Sequence, residues 1–143
     1  LSLAVCILSD PPPLFEFRTM IVGLGTDLMD VTRMEKQLQE DAGLISSLFT
    51  PAEIAYCEGK RYPAQHYAAR FAAKESLFKA LGTGYRDGLS WLEIEISHSN
   101  TGQPEIKLTG KVQEQAAKMG VNRVCLSMSH TRTHAAATVI LES

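Results

Sequence analysis

The sequence predicts an α+β fold, with one long central helix packed on a small, mainly antiparallel sheet. Three observations lead there. Pro63 opens and Gly82 and Gly84 close one long helical stretch, about residues 64–81, whose alanines (Ala68, Ala69, Ala72, Ala73 and Ala80) permit close packing. Residues 123–130 and 134–141 read as two strands joined by a tight connection, and residues 90–97 alternate Trp91, Glu93 and Glu95 against Leu92, Ile94 and Ile96. Helices and hairpins are intermixed instead of alternating as strand–helix–strand units, which disfavours a doubly wound sheet.

Taken in order, residues 20–25 read as a buried strand with Gly23 and Gly25 toward its end. Residues 30–40 form a helix with Val31, Met34 and Leu38 as its apolar stripe. A further helical turn is expected over 44–49. Thr50, Pro51 and Glu53 are a helix start, with a capping hydroxyl, proline at the first position and glutamate at the third. After the long helix and the strand over 90–97, Asn100-Thr101-Gly102 is a turn, 105–108 a short returning strand, and 111–119 a helix stopped by Gly120.

A chain of 143 residues suits one domain, here 20–143, with 1–19 as an N-terminal extension whose origin the sequence leaves open. That extension has a short apolar run and then Pro11-Pro12-Pro13. The run is too short to span a bilayer, and no basic leader marks it as a secretory signal. No membrane role is expected. Cys6, Cys57 and Cys125 are odd in number and lack metal-ligand spacing, which predicts free thiols, a reducing compartment and a cytoplasmic protein. The net charge is −2, so the whole molecule is no nucleic-acid binder. The charge is unevenly placed. Between Lys60 and Arg86 there are six basic residues (Lys60, Arg61, Arg70, Lys74, Lys79, Arg86) and one acidic residue, Glu75. Such a local field suits a small phosphorylated ligand.

On the long helix, Phe71, Glu75 and Lys79 recur at four-residue steps beside the row Arg70–Lys74. A lone carboxylate among cations suits a metal ion shared with a phosphate; a solvated helix with a Glu75–Lys79 ion pair is the plain alternative. Gly23-Leu24-Gly25-Thr26-Asp27 lacks the third glycine of a dinucleotide fingerprint, since Leu28 stands in its place. What it presents is the Asp27 carboxylate, as a ligand, as a cap for the next helix, or as both. Ser129, His130, Thr131 and Arg132 end a strand with groups able to donate hydrogen bonds to phosphate oxygens, or to form a polar hairpin turn. His130 and His134 straddle that turn without a third ligand, so zinc is disfavoured. Taken jointly, Asp27 and Glu75 are two hard oxygen donors. Magnesium takes one or two protein carboxylates and completes its shell with water and substrate phosphates. No Walker loop and no kinase motif is present.

Three blocks, IVGLGTDLMDVTRM, RFAAKESLFKALGTG and LSMSHTRTHAAATVILE, resemble in order and spacing the holo-[acyl-carrier-protein] synthase family of small bacterial 4′-phosphopantetheinyl transferases. The resemblance covers residues 20–142. It implies that family's fold and its reaction: coenzyme A donates its phosphopantetheine arm to a serine of apo acyl carrier protein, releasing adenosine 3′,5′-bisphosphate, in support of fatty acid biosynthesis. It implies that Asp27 and Glu75 are the magnesium ligands and, with Lys79, the catalytic set. Arg70, Lys74 and Lys79 match positions near the coenzyme's phosphates, as do His130 and Thr131. Gly82 and Gly84 match glycines that let the backbone approach the nucleotide. The general base stays open between Glu75 and a metal-bound water.

The resemblance also implies a homotrimer with sites at subunit clefts, and an acidic carrier docking on the helix after the GTD motif. Arg33 matches the family's recognition arginine there, with Lys36 and Met34 beside it as further partner contacts. Asp30, Glu35 and Glu40 on the same helix depart from the usual basic pattern, and Gln103 stands before Pro104 where the family more often has lysine. Two other readings are a non-catalytic module that binds coenzyme A or the carrier, and a metal-dependent phosphohydrolase.

Overall fold

The computed structural model describes residues 19–84 and 88–143; the extension 1–18 with its Cys6, and Arg86, lie outside the described residues. Strand β1 (Ile21–Asp30) leads into helix α1 (Val31–Glu40), then α2 (Leu44–Leu48), α3 (Pro51–Glu58) and the long α4 (Pro63–Leu81). A 3₁₀ turn (Trp91–Glu93) precedes the hairpin β2 (Ile94–His98) and β3 (Pro104–Leu108), followed by α5 (Gly110–Lys118), β4 (Arg123–His130) and β5 (His134–Glu142). The main sheet has the order β1-β5-β4, antiparallel throughout, and β2–β3 form a second two-stranded sheet.

The β5 strand alternates cleanly. Ala135, Ala137, Val139 and Leu141 are buried against α4, while Ala136, Thr138 and Ile140 face away. The pairing register puts Leu24, Thr26 and Leu28 of β1 on that same outer face. Inward, β1 presents Gly23, Gly25, Asp27 and Met29. The two glycines have a steric purpose, since a Cβ at Gly23 would overlap the Ala80 carbonyl and one at Gly25 the Ser76 carbonyl. Helix α4 therefore lies directly on the β1 backbone, and Ser76 fastens it by donating to the Ala137 carbonyl at 3.0 Å.

Two expectations about elements change. Strand β1 does not end at the glycines but continues through Asp30, and Asp30 caps α1 by accepting from the Arg33 N–H at 2.8 Å. Asp27 is thus no cap. The strand expected over 90–97 begins only at Ile94. Ser90 and Glu93 form a capping box on the 3₁₀ turn, and that local exchange outweighs the two-residue alternation. The Thr50–Glu53 capping box is present as expected.

Candidate active site

The close contact of α4 with β1 creates the site. Lys79 of α4 reaches across and donates to Asp27 Oδ1 at 2.8 Å and to the Thr26 carbonyl at 2.9 Å. Glu75, one helical turn earlier, is the neighbour of both. Burial pushes the Glu75 carboxyl above its ordinary range, the Asp27 charge pushes it further, and Lys79 offsets part of this. The Lys79 ammonium thus pairs with Asp27, where the sequence suggested a Glu75–Lys79 pair. Two carboxylates face one cation whose side chain is half exposed. That donor set, hard oxygen on a partly open surface, fits magnesium, which accepts one or two carboxylates and leaves other positions to water and phosphate. Among the described residues no group of three or more histidine, cysteine or acidic side chains is gathered for a metal.

The row Arg70–Lys74 behaves differently. Lys74 is fully buried. Its ammonium donates to the Leu48 carbonyl at 2.7 Å, Glu53 Oε2 at 2.7 Å and the Trp91 carbonyl at 3.0 Å, which uses all three of its protons. The expectation that Lys74 touches a coenzyme phosphate is corrected: its nitrogen is inside the protein, tying α4 to α2, α3 and the 3₁₀ turn. Burial lowers the Lys74 pKa and Glu53 opposes that fall. Glu53, read in the sequence only as a helix-start residue, also accepts from the Thr50 and Ile96 N–H groups at 2.8 and 2.9 Å. Its signal was the capping-box position.

Arg70 is 1% exposed, and its guanidinium lies over the Tyr56 ring, 3.9 Å from the centroid. It lines a small cavity with His66, His98 and His130. Of these partners only His130 was singled out in the sequence, although His66 stands one helical turn before Arg70. Thr131 organises the β4–β5 turn, accepting from the His134 N–H at 3.1 Å and pairing its own N–H with the His134 carbonyl at 2.8 Å. The polar-turn reading of this segment is therefore realised, with the exposed His130 beside it.

Gly82 and Gly84 end α4 with φ of 72° and 61°, a left-handed conformation that glycine adopts without strain. On α1, Arg33 and Lys36 are exposed, and Lys36 approaches Glu40 at 3.7 Å. Met34 is 1% exposed and part of the core, which corrects its assignment as a partner contact: the α1 stripe points it at α4. A cleft of about 430 Å³ lies between α1, the start of α4 and the β4–β5 turn, with Val31, Glu35, Arg61, Tyr62 and Arg132 in its walls. No described helix is long and apolar enough to cross a membrane.

Comparison with known proteins agrees with this fold. The family described as the 4′-phosphopantetheinyl transferase superfamily matches residues 23–139. Similar curated proteins include the holo-[acyl-carrier-protein] synthases of Geotalea daltonii, 46% identical, and of a Geobacter species, 48% identical; each match covers 86% of this chain and 99% of the relative. Among solved structures, the holo-[acyl-carrier-protein] synthase of Neisseria meningitidis is 33% identical with a TM-score of 0.80, covering 87% of this chain and all of that one. The Bacillus anthracis enzyme, solved in complex with CoA (3′,5′-ADP), is 33% identical with a TM-score of 0.73, covering 87% of this chain and 98% of that one.

Proposed function

This chain belongs to the 4′-phosphopantetheinyl transferase superfamily, and on that premise we propose that it transfers the 4′-phosphopantetheine arm of coenzyme A to a serine of apo acyl carrier protein. The product nucleotide is adenosine 3′,5′-bisphosphate. The single observation that carries the reading is the meeting of Asp27, Glu75 and Lys79, brought from β1 and α4 to one half-open surface. Asp27 and Glu75 are the residues that would hold magnesium. Bound there beside a pyrophosphate, the ion would offset the negative charge that grows on the leaving phosphate.

The protein's own groups do the rest. Lys79 keeps the Asp27 carboxylate fixed and adds a positive charge next to the phosphates. Arg70, His130 and Thr131 supply cationic and hydrogen-bonding groups on the other flank of α4. Gly82 and Gly84 leave backbone open where the nucleotide lies. Lys74 acts from inside, holding the turn of α4 that presents Glu75. The group that takes the serine proton is either Glu75 or a water on the metal, both at this same surface.

The carrier docks along α1 through Arg33 and Lys36, beside the cleft that carries Arg61 and Arg132. A homotrimer would cover the outer sheet face, where Leu24 and Leu28 are 63% and 66% exposed. A cytoplasmic location and a part in fatty acid synthesis go with this reading. The experiment is direct: incubate the protein with coenzyme A, magnesium and apo carrier, and weigh the carrier. A gain of one phosphopantetheine arm is expected. No gain at any magnesium concentration rejects the transferase, and phosphate release without a carrier would favour a phosphohydrolase.

A further inference from the structure

Ser76 is an exception on its side of α4. It directly follows Glu75 and is fully buried. At three- and four-residue steps around it the helix carries Ala69, Ala72, Ala73 and Ala80, all buried as well. Alanine would fill nearly the same volume, suits a helix interior better than serine, and buries no polar group. The stability of the helix therefore does not account for a hydroxyl at this position. What the hydroxyl adds is a directional bond.

That bond joins elements. The Ser76 hydroxyl has one proton and two acceptors, the Ala72 carbonyl of its own helix at 2.7 Å and the Ala137 carbonyl of β5 at 3.0 Å. Ala137 is the residue paired with Asp27 across β1 and β5. Its oxygen also accepts from the Thr26 hydroxyl at 3.0 Å, so the acceptor is itself tied to β1. The neighbours of the two acids, Thr26 before Asp27 and Ser76 after Glu75, thus meet at one oxygen. Among the described residues, the α4 side chains that donate to the main sheet are Ser76 and Lys79, and of these only Ser76 is buried. The close contact at Gly25 stops α4 from coming nearer to β1, but a contact does not stop a helix from lifting or sliding. The like charges of Asp27 and Glu75 favour such a separation.

We propose that Ser76 is a positioning residue of the acid pair: its bond to the Ala137 carbonyl holds α4 at the seat from which Glu75 and Asp27 share one divalent cation. The idea rests on the metal reading above, in which these two carboxylates hold magnesium. Ser76 itself touches neither the ion nor a substrate. Without the bond the helix still forms and still packs, but the spacing of the two carboxylates is no longer fixed before the ion arrives, and part of the binding free energy goes into fixing it.

The test is a titration of manganese, a paramagnetic stand-in for magnesium, into the whole protein. Coenzyme A is present and the carrier is omitted, so free manganese is counted by electron paramagnetic resonance and nothing turns over. Asp27→Asn locates the site, since it should remove most of the protein-dependent binding. Ser76→Ala is expected to weaken that binding about three- to tenfold, the size of one net hydrogen bond. Val112→Ala opens a cavity at a fully buried position of α5 and loosens the fold elsewhere, and it should bind manganese as the native protein does. Native affinity in Ser76→Ala overturns the inference. So does an equal loss in Val112→Ala, which would make the effect one of general loosening. Native affinity in Asp27→Asn would remove the metal from the acid pair, and the inference with it. If the carrier gains its arm in the native protein yet Ser76→Ala binds manganese normally, this inference alone falls. If the carrier gains nothing, the transferase reading falls, and the manganese titration still decides the part played by Ser76.

Discussion

Glu75 is held in a condition that folding alone does not favour. Its carboxyl is partly desolvated and faces the Asp27 charge, and only Lys79 opposes the resulting rise in proton affinity. A folded pKa above the unfolded one means that the native state binds the extra proton, so this group's contribution to stability is present at low pH and lost as pH rises through the folded value. Glu75→Gln should therefore melt no lower than the native protein in metal-free buffer at pH 8, while its turnover falls by about a hundredfold or more. Thermal melts with a chelator check the first part. A clear loss of stability would show that Glu75 is a structural residue. Lys74 is the opposite case. Removing it strands Glu53 in the interior, and such a loss costs about 3–5 kcal/mol. Lys74→Ala should lower the unfolding free energy measured by urea denaturation by that amount, and the joint change Lys74→Met/Glu53→Gln should recover part of it. Equal stability of Lys74→Ala and the native chain would contradict the buried pair.

At the scale of elements, the contact between β1 and α4 decides everything near the site. Gly25 carries no side chain because the Ser76 carbonyl occupies that place. Gly25→Ala must push two backbones apart, and overpacking of this kind costs about 1–3 kcal/mol where flexible side chains can yield, and more where backbone must move. The expected result is a stability loss of at least about 3 kcal/mol together with a weaker magnesium response, since Asp27 and Glu75 separate. Full stability measured by urea denaturation would contradict the packing. Much of this architecture was legible in the chain. Pro63 and Gly82 bracket α4, the Thr50–Glu53 signature starts α3, and residues 134–141 read as a strand joined by a tight connection to the one before. Periodicity failed at Trp91–Glu93, where Ser90 and Glu93 cap a tight turn and hydrogen bonding beats alternation. It also failed to tell the inner from the outer row of α4. Arg70 and Lys74 look like surface cations, but Lys74 donates to Glu53, Leu48 and Trp91 and Arg70 lies over the Tyr56 ring, and no local pattern announces partners so far along the chain. Met34 was misplaced for the same reason: the stripe it shares with Val31 and Leu38 is read correctly as apolar, and apolar here means core.

For the molecule as a whole, the outer face of the β1-β5-β4 sheet joins rows of neighbours from three strands: Leu24, Ile140 and Cys125 in one, Leu28, Ala136 and Ser129 in another. A homotrimer packed through this face would be broken by charge. Leu24→Glu/Leu28→Glu should sediment as a monomer while keeping its helical circular dichroism, because neither side chain belongs to the core; an unchanged oligomer would place the interface elsewhere. The proposed chemistry rests on two acids, one on β1 and one on α4, that would hold a single divalent cation between them. The most direct measurement is the magnesium dependence of carrier mass gain at saturating coenzyme A, for the native protein, Asp27→Asn and Glu75→Gln. Modification that saturates with magnesium in the native protein, stops with a chelator, and is reduced about a hundredfold or more in each variant is what the paired carboxylates require. Undiminished modification in the chelator, or in both variants, would contradict it.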